Sequence, residues 1–226
     1  MGLVPRHELF LQNQYSQLLT AQLFLILLPT LFPQRKLALT VAILMLTVVV
    51  VLIVRTFRIR HTKFLVYCGL IFGVGLIQIF TVFMGILQPY HQVIIVMANL
   101  VYLTFVAISI YLTMNSIFRQ ELVTSDSIRG GICVYFLLGY FFYFAYRIVY
   151  TIYPESFKFP HDYADLLDLI YFSFVSLTTI GYGDITPTIP ITMSLAIIEG
   201  LFGQMYPAVV IAQLVSQYIN SSSRSS

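Results

Sequence analysis

Apolar residues run along this chain in long, nearly unbroken blocks separated by short polar interruptions. A bilayer core takes about 20 apolar residues per helix. Six blocks approach that length: Gln17–Phe32, Leu37–Val54, Phe64–Leu87, Val93–Phe118, Gly131–Tyr153 and Ile189–Tyr218. The first is the shortest and ends among Pro29 and Pro33. A further short block, Tyr163–Thr179, carries Asp165 and Asp168 near its start, and is read as dipping into the membrane rather than crossing it. The pattern predicts an all-α membrane protein of six transmembrane helices, with a re-entrant segment between helices five and six.

Charges between the blocks orient this layout. The most basic loop, RTFRIRHTK, holds Arg55, Arg58, Arg60 and Lys63, and the positive-inside rule assigns it to the cytoplasm. Alternation then sets Gln88–Gln92 outside, Arg119–Arg129 inside, and Pro154–Pro190 outside with Lys158 as its one Lys or Arg. Both termini are expected in the cytoplasm. Arg35 and Lys36 fall outside, a mild violation of the rule.

Composition agrees. Charged residues make up 9% of the 226, against roughly 25% in soluble domains. A net charge of +3 is too small and dispersed to indicate nucleic acid. Cys68 and Cys133 lie inside apolar blocks and read as small core residues rather than a disulfide. No hydrolase, phosphate-loop or metal-ligand motif is present, and His7, His61, His91 and His161 are scattered in or near loops, so an enzyme is not expected. No cofactor is expected either.

The stretch SLTTIGYGDITP, residues 176–187, breaks the apolar pattern. Irregular backbone at membrane depth leaves carbonyls without partners, which is tolerated where protein buries them or an aqueous path solvates them. Gly181 and Gly183 reach dihedrals closed to other residues, so successive carbonyls can face one side. Such a row suits a dehydrated potassium ion. Ile180 and Tyr182 must then point away, and Thr179 can add a hydroxyl oxygen below.

Thr179 to Asp184, TIGYGD, resembles the selectivity filter of tetrameric potassium channels at all six positions, with Thr178 before and Pro187 after. The resemblance implies a homotetramer with a pore helix and filter loop between helices five and six. It implies potassium bound by Thr179, Ile180, Gly181 and Tyr182, with Thr178, Gly183 and Asp184 supporting them. Inner helices of this family often bend at a glycine in the place of Gly203; Gly200 lies one turn earlier and Pro207 one turn later. A hinge and close packing by small residues remain open alternatives there. Where some bacterial members hold a glutamate, this chain has Val175. Where a tryptophan often braces the filter aspartate, it has Tyr171, whose hydroxyl can replace the indole donor. Thr186 stands where an aromatic ring strengthens external tetraethylammonium block, so weak block is expected.

The resemblance to six-helix channels also implies a sensor, which the residues contradict. Each charge crossing the field contributes about 2.3 kcal/mol per 100 mV, and the fourth block contains no basic residue. The expected organisation is a cytoplasmic segment (1–16), a four-helix sensor-like domain without gating charges (17–119), a pore domain (120–219) and a tail (220–226). The residues after Tyr218 hold no ligand-binding module, so a leak or a gate within the membrane is expected if the chain is complete; a truncated chain would have lost its regulator, and a regulatory subunit could act as a partner. Glu199, deep in the last block, has three readings: a buried bond to the pore helix, a pore-lining charge or a pH-sensitive gate residue. Arg147 could pair with Glu155 or Asp162, or anchor at the interface.

The expected function is potassium-selective, passive conduction with little or no voltage dependence, in a bacterial inner membrane, with membrane lipid and copies of itself as partners. A less selective cation channel and a non-conducting subunit of a mixed tetramer are the alternatives.

Overall fold

The computed structural model describes residues 14–32, 35–56, 69, 71–79, 91–118, 125–160 and 166–223. Apolar segments that must satisfy their own backbone groups become helices, and helices dominate here. α1 (Gln14–Leu27) passes into a 3-10 turn at Leu28–Leu31, where Pro29 has no amide to continue the α-helical ladder. α2 (Arg35–Thr56) follows, and residues 71–79 are helical. The chain continues with α3 (His91–Phe118), α4 (Ser125–Ile152), α5 (Leu166–Leu177) and α6 (Pro190–Ser223). Pro190 opens α6 at a position where its missing amide costs nothing.

Among the described residues, three helical stretches are long and apolar enough to cross a membrane: Gln92–Phe118, Ser127–Ile152 and Pro190–Gln213. Shorter apolar helices span Tyr15–Leu27, Thr40–Val49 and Leu167–Leu177. The architecture is that of a mostly helical membrane protein. Most of the Phe64–Leu87 block lies outside the described residues. So do Arg58, Arg60, Lys63, Cys68, Arg119, His7, His61, His161, Asp162 and Asp165.

The all-α expectation gains one addition, a two-residue antiparallel ladder. β1 (Phe157–Lys158) pairs with β2 (Thr186–Pro187), with Phe157 opposite Pro187 and Lys158 opposite Thr186. It joins the segment after α4 to the segment before α6.

α4 is the centre of the packing, touching α1, α3, α5 and α6. Its Cys133, Val134, Leu137 and Tyr146 are completely buried, and the Cys133 thiol donates to Tyr15 O at 3.4 Å. Three rings lock α4, β1 and α5 together. Tyr146 meets Phe172 at 5.1 Å and Phe157 at 5.4 Å, and Phe157 meets Phe172 at 5.2 Å, all edge to face. Each such pair contributes about 0.5–1.5 kcal/mol beyond its buried area. On the other side of α4, Gln22 of α1 donates to the Cys133 carbonyl at 3.3 Å, and Tyr140 donates to the Gln22 carbonyl at 3.0 Å.

Candidate functional site

α5 ends at Leu177, two residues before the Tyr163–Thr179 block does, and the reason is visible. The Thr179 amide bonds the Ser176 carbonyl at 3.0 Å, while Val175 O accepts from both Ile180 (3.0 Å) and Gly181 (3.4 Å). The Thr178 hydroxyl turns back to Phe174 O at 2.7 Å. The helix therefore closes on itself and releases an extended segment.

That segment has an unusual backbone. φ is positive at every second residue: +59° at Thr179, +58° at Gly181 and +78° at Gly183. A left-handed conformation costs a residue with a Cβ roughly 1–2 kcal/mol, so Thr179 is held there by its surroundings. A Cβ added at Gly181 or Gly183 would meet nothing within 4 Å. Glycine is required at these positions by the dihedral, not by space. Among the described residues, no backbone amide donates to the carbonyls of Thr179, Ile180, Gly181 or Tyr182. Ile180 and Tyr182, which should point into a scaffold, are 55% and 68% exposed on the protomer.

One aromatic pair braces the segment from α5. The Tyr171 hydroxyl donates to Asp184 Oδ2 at 2.8 Å, and the Tyr171 and Tyr182 rings lie parallel, 1° apart in plane with centroids at 6.4 Å. The Tyr171 hydrogen bond, helped by the amides of Asp184 and Ile185, holds the Asp184 carboxyl below its ordinary value, against a smaller opposing effect of desolvation. Val175 takes part through its backbone carbonyl. Beyond Asp184, Ile185 is buried and Thr186 sits in the ladder. The Thr188 amide bonds Ser156 O at 3.0 Å, the Thr188 hydroxyl bonds Glu155 O, and the Thr192 hydroxyl bonds Ser156 O at 3.0 Å.

Behind the segment, Glu199 is fully buried. Tyr146 Oη donates to its Oε2 at 2.6 Å, and Ser173 Oγ lies 2.5 Å from Oε1. It bonds the pore-helix candidate α5, as one of the three readings had it, and α4 as well. Sequence reasoning missed Tyr146 and Ser173. An acid inside an apolar block signals that partners exist, but not which ones.

Gly203 is buried against the end of α5. A Cβ there would fall 1.8 Å from the Leu177 carbonyl oxygen, which also accepts from Tyr135 Oη at 3.2 Å. Gly200 is less tightly seated, with Ser176 O at 4.0 Å. α6 continues through Gly200, Gly203 and Pro207 without interruption, and Tyr206 donates to Gly131 O at 2.8 Å. Arg147 is half-buried, and its Nε has no hydrogen-bond partner among the described residues.

Residues 131–220 match a family model described as an ion channel. The matched stretch runs from within α4 into α6 and contains every element just described. It supports an ion channel, and points to a transport protein rather than an enzyme. No curated protein and no solved structure matches the chain.

Proposed function

We propose that the protein is a potassium-selective channel, conducting passively through a pore made by four copies of the chain. The observation that carries this reading is the backbone from Thr179 to Gly183. Alternating left-handed residues leave consecutive carbonyls without amide partners among the described residues, the arrangement a dehydrated potassium ion needs. Carbonyls of Thr179, Ile180, Gly181 and Tyr182 replace the ion's water, with no resident cofactor. Thr178, Gly183, Asp184, Tyr171 and Val175 hold the segment in shape. One protomer supplies one wall of each carbonyl ring, and neighbouring copies cover Ile180 and Tyr182.

The C-terminal end of α5 carries roughly half a negative charge, which favours a cation in the vestibule beneath it. Six transmembrane helices with cytoplasmic termini in a bacterial inner membrane complete the reading. α3 contains no Lys or Arg, so voltage acts weakly. Of the hinge candidates, Gly203 serves close packing, which leaves Gly200 and Pro207 as places where α6 can bend.

The test is the reversal potential of purified protein in planar bilayers, with potassium on one side and sodium on the other. A value at the potassium equilibrium potential, with open probability flat across voltage, is expected. Reversal near zero would make the pore a less selective cation channel. Absence of current would favour a subunit that conducts only in a mixed tetramer.

A further inference from the structure

Ser173 sits between two acceptors and has one proton to give. Its Oγ lies 2.7 Å from the Gly139 carbonyl and 2.5 Å from Glu199 Oε1. If that proton goes to Gly139 O, the hydrogen between Ser173 and Glu199 must come from the carboxyl itself. Tyr146 supplies the other carboxyl oxygen at 2.6 Å. A neutral acid thus satisfies every group in the relay. Tyr146 donates to Oε2, Glu199 Oε1–H donates to Ser173, and Ser173 donates to Gly139.

A carboxylate would have to draw both hydroxyls and remain a charge in a wholly buried site. The titratable groups facing it from α4 are Tyr146 and, at longer range, Tyr135; from α5 it meets only Ser173. Among the described residues it has no cationic partner. Two neutral donors do not offset the several kcal/mol that burying an unpaired ion costs, so the neutral form is favoured.

We infer that Glu199 is a positioning residue for the conduction segment, held as a neutral acid that joins α4, α5 and α6 at one point. Ser173 lies on α5 upstream of Thr179, so the relay fixes how α5 presents Thr179 to Gly183. It also makes the inner helix and that segment mechanically continuous. The selectivity half of this inference rests on the channel reading; the protonation half does not.

Two measurements on the full chain in liposomes test it. In infrared difference spectra at neutral pH, wild type should show the carbonyl stretch of a protonated carboxylic acid, and Glu199→Gln should lack it. A wild type without that band overturns the neutral acid, whether or not the protein conducts. In potassium-versus-sodium reversal measurements, Glu199→Gln, which keeps one donor and one acceptor, should stay within about twofold of wild-type selectivity. Glu199→Ala and Ser173→Ala should lose about tenfold or more, because each leaves buried polar groups unpaired. Should Glu199→Ala fail to reach the membrane, Ser173→Ala carries the same test. Retained selectivity in the alanine variants, or a Glu199→Gln channel as impaired as they are, overturns the positioning role. If wild type itself does not discriminate potassium from sodium, the potassium-selective reading fails and the selectivity half of the inference with it, while the infrared band still decides the protonation state.

Discussion

The front and back halves of the molecule use their polar groups differently. In α2 and α3, Thr47, Asn99, Thr104 and Ser109 each donate to the carbonyl four residues earlier in the same helix. Such bonds satisfy a side chain without fixing a neighbour. In the back half, beside local bonds such as Thr151 to Arg147 O and Thr178 to Phe174 O, many bonds cross between elements. Tyr146 and Ser173 reach Glu199, Tyr171 reaches Asp184, Tyr135 reaches Leu177, Tyr206 reaches Gly131 and Thr192 reaches Ser156. Lipid is as apolar as a leucine side chain, so helices in a membrane associate through packing and bonds of this crossing kind. The difference teaches that, among the described residues, bonds joining separate elements gather around residues 131–206, with the α1 contacts of Gln22 to α4 and Tyr15 to Ser116 as the exception in front.

The strongest way to break that contrast is Gly203→Val. Its side chain would overlap the Leu177 carbonyl, and backbone cannot move aside as a flexible side chain can. A destabilisation of about 3 kcal/mol or more is expected, read as loss of detergent-stable oligomer and of potassium flux. A valine variant that assembles and conducts normally would show that α5 and α6 are not tightly seated.

Tyr171→Phe should act next in size, without loss of assembly. It removes the donor to Asp184 while keeping the ring beside Tyr182, so faster inactivation or poorer selectivity is expected. The same bond sets an acid limit. Because the Asp184 carboxyl is held below its ordinary value, its contribution is complete above the ordinary carboxylate range and is lost only as external pH falls through the lowered value. Wild-type current should therefore hold down to about pH 4 with respect to this group. In Tyr171→Phe the loss should begin at higher pH. Identical acid profiles in the two proteins would remove the Tyr171 brace.

The smallest effect belongs to the front half. Asn99→Leu exchanges a bond within one helix for apolar bulk, and a stability change within about 1 kcal/mol is expected. The reversal potential should not move. A Tm shift as large as that of the Gly203 variant would erase the distinction between the halves.

What could be read from the sequence follows the same division. The left-handed backbone at Gly181 and Gly183 was legible because glycine answers that local demand, whereas the positive φ of Thr179, imposed by its surroundings, was not. The helix α6 was legible from its apolar length, and its start from Pro190. Tyr146 was not, being one of 16 tyrosines and 53 positions from the acid it contacts. Ser173 was hidden for the same reason, since a long-range partner leaves no periodic trace. The ladder of Phe157–Lys158 with Thr186–Pro187 is too short to alternate. Pro29 and Pro33 marked where the first block would fail, and α1 indeed gives way to a 3-10 turn at Leu28.

That short ladder has a mechanical consequence. With the Thr188 and Thr192 bonds to Ser156, it fastens the end of α4 to the beginning of α6, so the outer end of α6 behaves as a fulcrum. α6 has 34 residues, about 51 Å at 1.5 Å per residue. A tilt of about 5° around that fulcrum would carry the far end by about 4 Å, with little displacement beside Thr186. In the proposed tetramer, four such levers would let the inner mouth change width while the proposed ring of carbonyls keeps its dimensions.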